Sequence, residues 1–143
     1  MNNMETHKYT SDCSKCFALC CVALPYSKSA DFPCDKPSGV PCHNLNDGYL
    51  CTIHDALRDN GFNGCVTFEC FGAGQHVSQN LFNQTSWKND EIKNEMFNVF
   101  PIVHQINEMI YYLYECLNHA DDSKVKKYIN DLESVINSNV IKK

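Results

Sequence analysis

The sequence predicts a mainly α protein in which a small, loop-rich cysteine and metal lobe packs on a C-terminal antiparallel helical hairpin. Three observations carry that expectation. Nine of the ten cysteines (Cys13, Cys16, Cys20, Cys21, Cys34, Cys42, Cys51, Cys65 and Cys70) lie within residues 13–70, among Pro25, Pro33, Pro37, Pro41 and four glycines. From Asn89 onward, apolar residues recur at helical spacing. A second amphipathic segment follows the polar turn Asp121-Asp122-Ser123. At 143 residues the chain has room for one compact unit. A composition of 43% hydrophobic and 20% charged residues, with a net charge of −5, argues against a disordered tail and against nucleic-acid binding.

Residues 1–12 are expected to be a flexible N-terminus. They lack the basic start, apolar stretch and cleavage site of a secretory signal. The longest apolar run nearby, Phe17 to Leu24, falls far short of the ~20 residues that span a bilayer. These features point to a cytoplasmic protein with no membrane partner. Thiols stay reduced in that compartment, so dense cysteines read as a metal site before a disulfide framework.

Residues 13–72 form the expected cysteine-rich metal-binding lobe. Thirteen Ile, Leu, Val or Phe side chains among residues 13–70 make a thin core, and frames of that kind commonly rely on bound metal for stability. Residues 73–88 read as a polar bridge without clear periodicity, and Gly72-Ala73-Gly74-Gln75-His76 reads as a turn.

Residues 89–143 form the expected hairpin. Asn89 is the predicted N-cap, with Asp90 and Glu91 in the first turn. Ile92, Met96, Val99, Val103, Ile106, Ile110, Leu113 and Leu117 make a heptad-like seam. Pro101 lies inside it, which predicts a kink or break near Asn98. In the second helix Val125, Tyr128, Ile129, Leu132, Val135 and Ile136 share a face. This half reads first as core packing, and Tyr111, Tyr112 and Tyr114 beside the seam support the alternative, a surface for a protein partner or a second copy. Cys116 reads as a small buried hydrophobe, and the Ile141-Lys142-Lys143 end as a solvated helix terminus.

The chemistry is carried by Cys13-x-x-Cys16-x-x-x-Cys20-Cys21 together with Cys42, Cys51, Cys65 and Cys70. Two residues between thiols let both reach one ion at ~2.3 Å. If residues 13–24 are helical, Cys13, Cys16 and Cys20 share one face, while Cys21 is turned about 100° from Cys20. Eight thiols suit two Cys₄ zinc sites, one [4Fe–4S] cluster with four thiols to spare, or two clusters. Soft sulfur selects zinc, iron–sulfur or Cu(I) over magnesium and calcium. An iron–sulfur cluster is slightly preferred, because adjacent and surplus cysteines are awkward for closed tetrahedral zinc. His43 and His54 lie close to cysteines but read as ordinary surface histidines, and Cys34 stands apart.

The pattern Cys-x-x-Cys-x-x-x-Cys-Cys, then Pro41-Cys42-x-x-Leu45, then Gly48-x-x-Cys51-x-Ile53-His54, resembles the bacterial zinc- or iron-chelating cysteine-cluster family. Members often carry Tyr where this chain has His54. A closer likeness is to the cysteine-rich N-terminal module found ahead of pentapeptide repeats. It is carried by Cys16 to Pro25, Ser29-Ala30-Asp31-Phe32, Asp35-Lys36-Pro37, Cys70-Phe71-Gly72-Ala73-Gly74-Gln75 and Met96 to Pro101. The resemblance implies metal coordination by the shared cysteines and no established reaction. A related motif occurs in flagellin lysine methylases, but no cosubstrate-binding region accompanies it here.

No Walker sequence, nucleophile elbow or His-Glu-x-x-His helix is present. The leading expectation is a cytoplasmic metal-binding protein with an iron–sulfur cluster or zinc. The alternatives are a redox or group-transfer enzyme (or accessory subunit) using the cluster or the adjacent Cys20 and Cys21, and a disulfide-stabilised module.

Overall fold

A computed structural model describes residues 6–142, and most of its regular structure is helical. The hairpin consists of two helices, whereas the other elements are short, so helix α4 (Lys93–His119) and helix α5 (Ser123–Ile136) give the molecule its frame. Asp122 caps α5, its side chain accepting from the Lys124 N–H at 2.8 Å. The turn at 120–122 reverses the chain, and the two helices pack together.

Helix α4 starts at Lys93, later than the sequence suggests. Asn89 caps a preceding turn, its Oδ1 accepting from the Glu91 N–H at 3.0 Å, and Ile92 occupies the N-cap position without a side-chain bond. The break expected near Asn98 is absent, since α4 runs through Pro101. A proline inside a helix costs about 3 kcal/mol or more. Burial of Met96, Phe97, Val99, Phe100 and Val103 around it offsets that cost, each large apolar side chain contributing about 1.5–3 kcal/mol. The seam is buried at Met96, Val99, Val103 and Ile110. On α5 the buried face is Ile129 and Ile136, flanked by half-buried Val125 and Leu132, while Tyr128 and Val135 turn outward, contrary to expectation.

The segment read as a polar bridge is the centre of the core. Helix α3 (Ala73–Gln75) continues as a π-helix (His76–Leu81) and buries Ala73, Gly74, Val77, Ser78 and Leu81. Trp87 closes this layer, its indole N–H donating to the Phe17 carbonyl at 2.7 Å.

The cysteine lobe is built from short pieces: a 3₁₀ turn (Cys13–Lys15), helix α1 (Leu19–Val22), a 3₁₀ turn (His54–Ala56) and helix α2 (Asn63–Thr67). Two isolated antiparallel bridges, Tyr26 to Lys36 and Leu45 to Cys51, stand in place of a sheet among the described residues. Leu19 and Val22 are fully buried and pin α1 to the core shared with α4, which docks the lobe on the hairpin. Within the lobe, Tyr26 stacks on Phe32 at 4.4 Å and meets the edge of Phe62 at 5.9 Å.

Residues 1–5 lie outside the described part. Residues 6–12, expected to be flexible, carry buried Tyr9, whose ring packs 5.8 Å from Tyr114. Ile141 and Lys142 are also docked, Ile141 on the core and Lys142 Nζ 4.7 Å above the Phe82 ring, while Lys143 lies outside the described part. Cys116 is exposed and does not belong to the core, contrary to expectation. No helix among the described residues is long and apolar enough to cross a membrane.

Candidate metal centre

Residues 13–24 do not form one helix. The Cys13 carbonyl accepts from the Cys16 N–H at 3.4 Å, closing a tight turn that puts both thiols on one small loop. Ala18 then takes a left-handed backbone conformation (φ 56°), and α1 starts afresh at Leu19. A non-glycine residue held there stores of order 1 kcal/mol or more of strain. The break uncouples Cys13 and Cys16 from the helical register of Cys20 and Cys21, whose sulfurs stand 4.0 Å apart.

Cys70 reaches the first loop from the far end of the lobe. Phe71 and Gly72 are both left-handed (φ 53° and 76°), a sharp reversal that returns the chain into α3. The Ser11 hydroxyl lies 3.2 Å from Cys70 Sγ and also accepts from the Cys70 N–H at 3.3 Å. Position 74 has to be glycine for these sulfurs to fit. A Cβ there would sit 2.5 Å from Cys16 Sγ and 3.9 Å from Cys70 Sγ. Cys16 and Cys70 therefore face the same point on α3.

A different set of backbone bonds gathers the other thiols. The Cys42 N–H donates to the Cys21 carbonyl at 2.9 Å, tying the 41–45 loop to α1. The Leu45 N–H donates to the Cys42 carbonyl at 3.0 Å, and Leu45 bridges to Cys51. The Cys65 N–H donates to the carbonyl of Phe62, whose ring belongs to the aromatic trio. The Tyr26 hydroxyl from the same trio donates to Cys42 Sγ at 3.4 Å.

Thiol acidities follow from this crowding. Cys16 is pushed up to about 11 chiefly by burial, with Cys70 adding to it. Cys65 is pushed up to about 11 by burial, then by Cys21, Cys42 and Cys51. Cys13 is raised by burial and by Cys70 and Cys21, and Cys51 by burial and by Cys21 and Cys42. In the adjacent pair the hydrogen bond between the two sulfurs raises Cys20 and lowers Cys21. Lys36 lowers Cys21 further.

Lys36 had no signal in the sequence. It is 5% exposed, and its ammonium donates to the carbonyls of Val22, Pro37 and Val40 at 3.2, 3.1 and 2.8 Å. No carboxylate pairs with it among the described residues. Burial depresses its basicity, and the charges that restore it are thiolates, first Cys42, then Cys21 and Cys20. A cation buried without a carboxylate is costly unless anions stand nearby.

All eight expected thiols thus lie in the lobe, Cys16 and Cys70 facing α3 and Cys42 tied to α1. Among the described residues, no three His, Cys, Asp or Glu side chains stand close enough to enclose an ion as they are placed. The donors fit a soft metal in type, and Gly74 supplies the space one set needs. The expected bystanders remain apart: His54 is exposed beside Asp55, exposed His43 lies 6.1 Å from the Phe62 ring, and Cys34 neighbours Tyr26.

Comparison with known proteins gives one informative match. Over 110 residues, 76% of this chain, the sequence is 56% identical to a curated bacterial protein. That relative is the uncharacterized protein YybG of Bacillus subtilis (strain 168). The chain spans 39% of the length of YybG. No family model matches, so the likeness to cysteine-cluster proteins rests on the quoted residues. No solved structure matches either.

Proposed function

We propose that the chain is a metal-binding protein that holds an iron–sulfur cluster or zinc on clustered cysteine thiolates. The observation that carries this reading is the gathering of eight thiols in one lobe with little apolar core of its own, Cys16 and Cys70 meeting at Gly74 and Cys42 tied to Cys21. Thiols whose acidity is lowered by burial and mutual repulsion are poor anions alone, and a soft cation removes that penalty. Bound metal would supply charge compensation and cross-linking. Lys36 contributes a fixed positive charge next to Cys21 and Cys42, and the Ser11 hydroxyl a hydrogen bond to Cys70. The reading requires a reducing compartment such as the cytoplasm, since disulfides would remove the ligands.

Purification without oxygen, followed by elemental analysis and an absorption spectrum, tests it. Broad absorbance near ~400 nm with bound iron identifies a cluster, and zinc without that absorbance identifies a structural site. Folded protein free of both metals rejects the proposal.

One observation favours a second reading, a redox or group-transfer enzyme or accessory subunit. The Cys21 thiol is lowered by its neighbour Cys20 and by Lys36, the environment of a reactive thiolate. Fast alkylation of Cys21 near neutral pH in metal-loaded protein supports this reading, and protection of Cys21 by metal rejects it.

The hairpin also offers a surface for a protein partner or second copy. Of the three expected tyrosines Tyr114 is buried and Tyr111 half-buried on Phe71, while Tyr112, whose ring also meets Phe71 at 5.9 Å, is exposed on α4 with Ile102 and Met109. Sedimentation of the purified chain distinguishes monomer from dimer.

A further inference from the structure

We propose that the eight thiols form two separate four-thiolate metal sites, Cys13, Cys16, Cys20 and Cys70 in one and Cys21, Cys42, Cys51 and Cys65 in the other, divided at the Cys20–Cys21 peptide. This inference rests on the metal-binding reading and adds to it the number of centres and the ligands of each.

Separate contacts gather each set of thiols. The first set converges on α3, because the missing Cβ of Gly74 admits Cys16 Sγ and Cys70 Sγ to one point. Cys13 shares the tight turn with Cys16, and Ser11 is bonded to Cys70. Backbone bonds gather the second set. The Cys42 N–H holds the Cys21 carbonyl, and Leu45 links Cys42 to Cys51. Phe62, set edge-on to Phe32 and Tyr26, carries Cys65 on its following turn. Lys36 reaches in from Val22, next to Cys21, and neutralises part of the charge on this side.

Cys20 packs against the same core as Cys16 and Cys70. The two sets meet where the Cys20 and Cys21 sulfurs stand 4.0 Å apart. Consecutive helical residues diverge by about 100°, so the adjacent cysteines can serve two centres without leaving α1. A tetrahedral ion takes four thiolates and so does a [4Fe–4S] cluster, and each set supplies four.

The test uses the full chain, purified without oxygen, as wild type and as Cys20→Ser, Cys21→Ser, Cys70→Ser and Cys51→Ser. Zinc, iron and sulfide are counted per chain, and each protein is treated with iodoacetamide before digestion and mass spectrometry. The wild type is expected to hold two ions or two clusters, and each variant half of that. Cys20→Ser and Cys70→Ser should expose Cys13 and Cys16 to alkylation and leave Cys42 and Cys65 protected. Cys21→Ser and Cys51→Ser should do the reverse. A wild type with one centre, or Cys70→Ser and Cys51→Ser exposing the same thiols, overturns the division while leaving metal binding intact. A folded wild type with no metal overturns the underlying reading instead. Should a variant unfold, loss of helical circular dichroism identifies it, and cobalt titration of the wild type decides. Thiolate-to-cobalt absorbance should saturate at two equivalents, and saturation at one rejects the division.

Discussion

Gly74 lies so close to Cys16 that a methyl group on its Cα would come within 2.5 Å of the sulfur. The residue sits in α3, buried on all sides, so the clash has no outlet to solvent. Gly74→Ala should displace Cys16 at an overpacking cost of about 1–3 kcal/mol. Urea denaturation of metal-free protein reads that cost, and metal content reads the lost ligand. Unchanged stability together with unchanged metal content would show that Cys16 is not held at this point.

Lys36 invites a charge-neutral replacement of similar length. Lys36→Met keeps the buried stem but leaves the carbonyls of Val22, Pro37 and Val40 without their donor. Loss of a buried donor of this kind costs about 1–3 kcal/mol. The Cys21 thiol, which Lys36 holds down, should titrate at higher pH in the variant. The pH dependence of Cys21 alkylation in metal-free protein checks this. A curve superimposable on wild type would remove Lys36 from the thiolate environment.

The hairpin was legible because Met96, Val99, Val103 and Ile110 repeat at a spacing that only a helix buries on one side. Asn107 was not, since an asparagine that is 1% exposed earns its place through a donated bond to the Phe71 carbonyl at 2.9 Å, a contact 36 positions away. The core at 73–88 escaped for a different reason. Its π-helical turn at His76–Leu81 lacks the 3.6-residue period, so Val77 and Leu81 show no pattern until the fold buries them. In the lobe, the cysteine spacing marked the ligand candidates. Their sorting depends on the left-handed residues Ala18 and Phe71, neither of them a glycine, and no local signal announces such strain.

His76 supplies a pH dependence. Its Nε2 lies 2.7 Å from the Ile136 carbonyl and its Nδ1 3.1 Å from the Asn80 amide, which fixes the Nε2–H form. Burial lowers its basicity below the ordinary value of 6.5, and the bond to Ile136 opposes this only in part. The unfolded chain therefore takes up this proton at a higher pH than the folded one. Stability is complete above about 6.5 and declines as pH falls through that value toward the lowered folded-state one. His76→Gln, which retains a donor for Ile136, should flatten the slope of urea midpoint against pH between 7 and 5. An identical slope in the variant would assign the effect to other groups.

Tyr9 and Tyr114 donate to the same carboxylate oxygen, Glu133 Oε1, at 2.7 and 2.9 Å. The acceptor belongs to α5, the first donor to the N-terminal segment and the second to α4, so one oxygen ties three parts of the chain. Burial, followed by the bond to Glu133, raises the Tyr9 hydroxyl far above its usual range, which keeps it protonated and donating at any working pH. Bonds to a charged acceptor contribute about 1.5–3 kcal/mol. Tyr9→Phe removes one and leaves the ring on Tyr114, so it should destabilise by that amount without loosening the lobe. Glu133→Gln should cost more than Tyr9→Phe alone, because it weakens both bonds and the 3.7 Å pairing with Lys8. In a double-mutant cycle, Tyr9→Phe and Glu133→Gln should fall short of additivity, since they act on one contact. Strict additivity, or a Tyr9→Phe variant as stable as wild type, would mean that the N-terminal segment is not anchored through this oxygen.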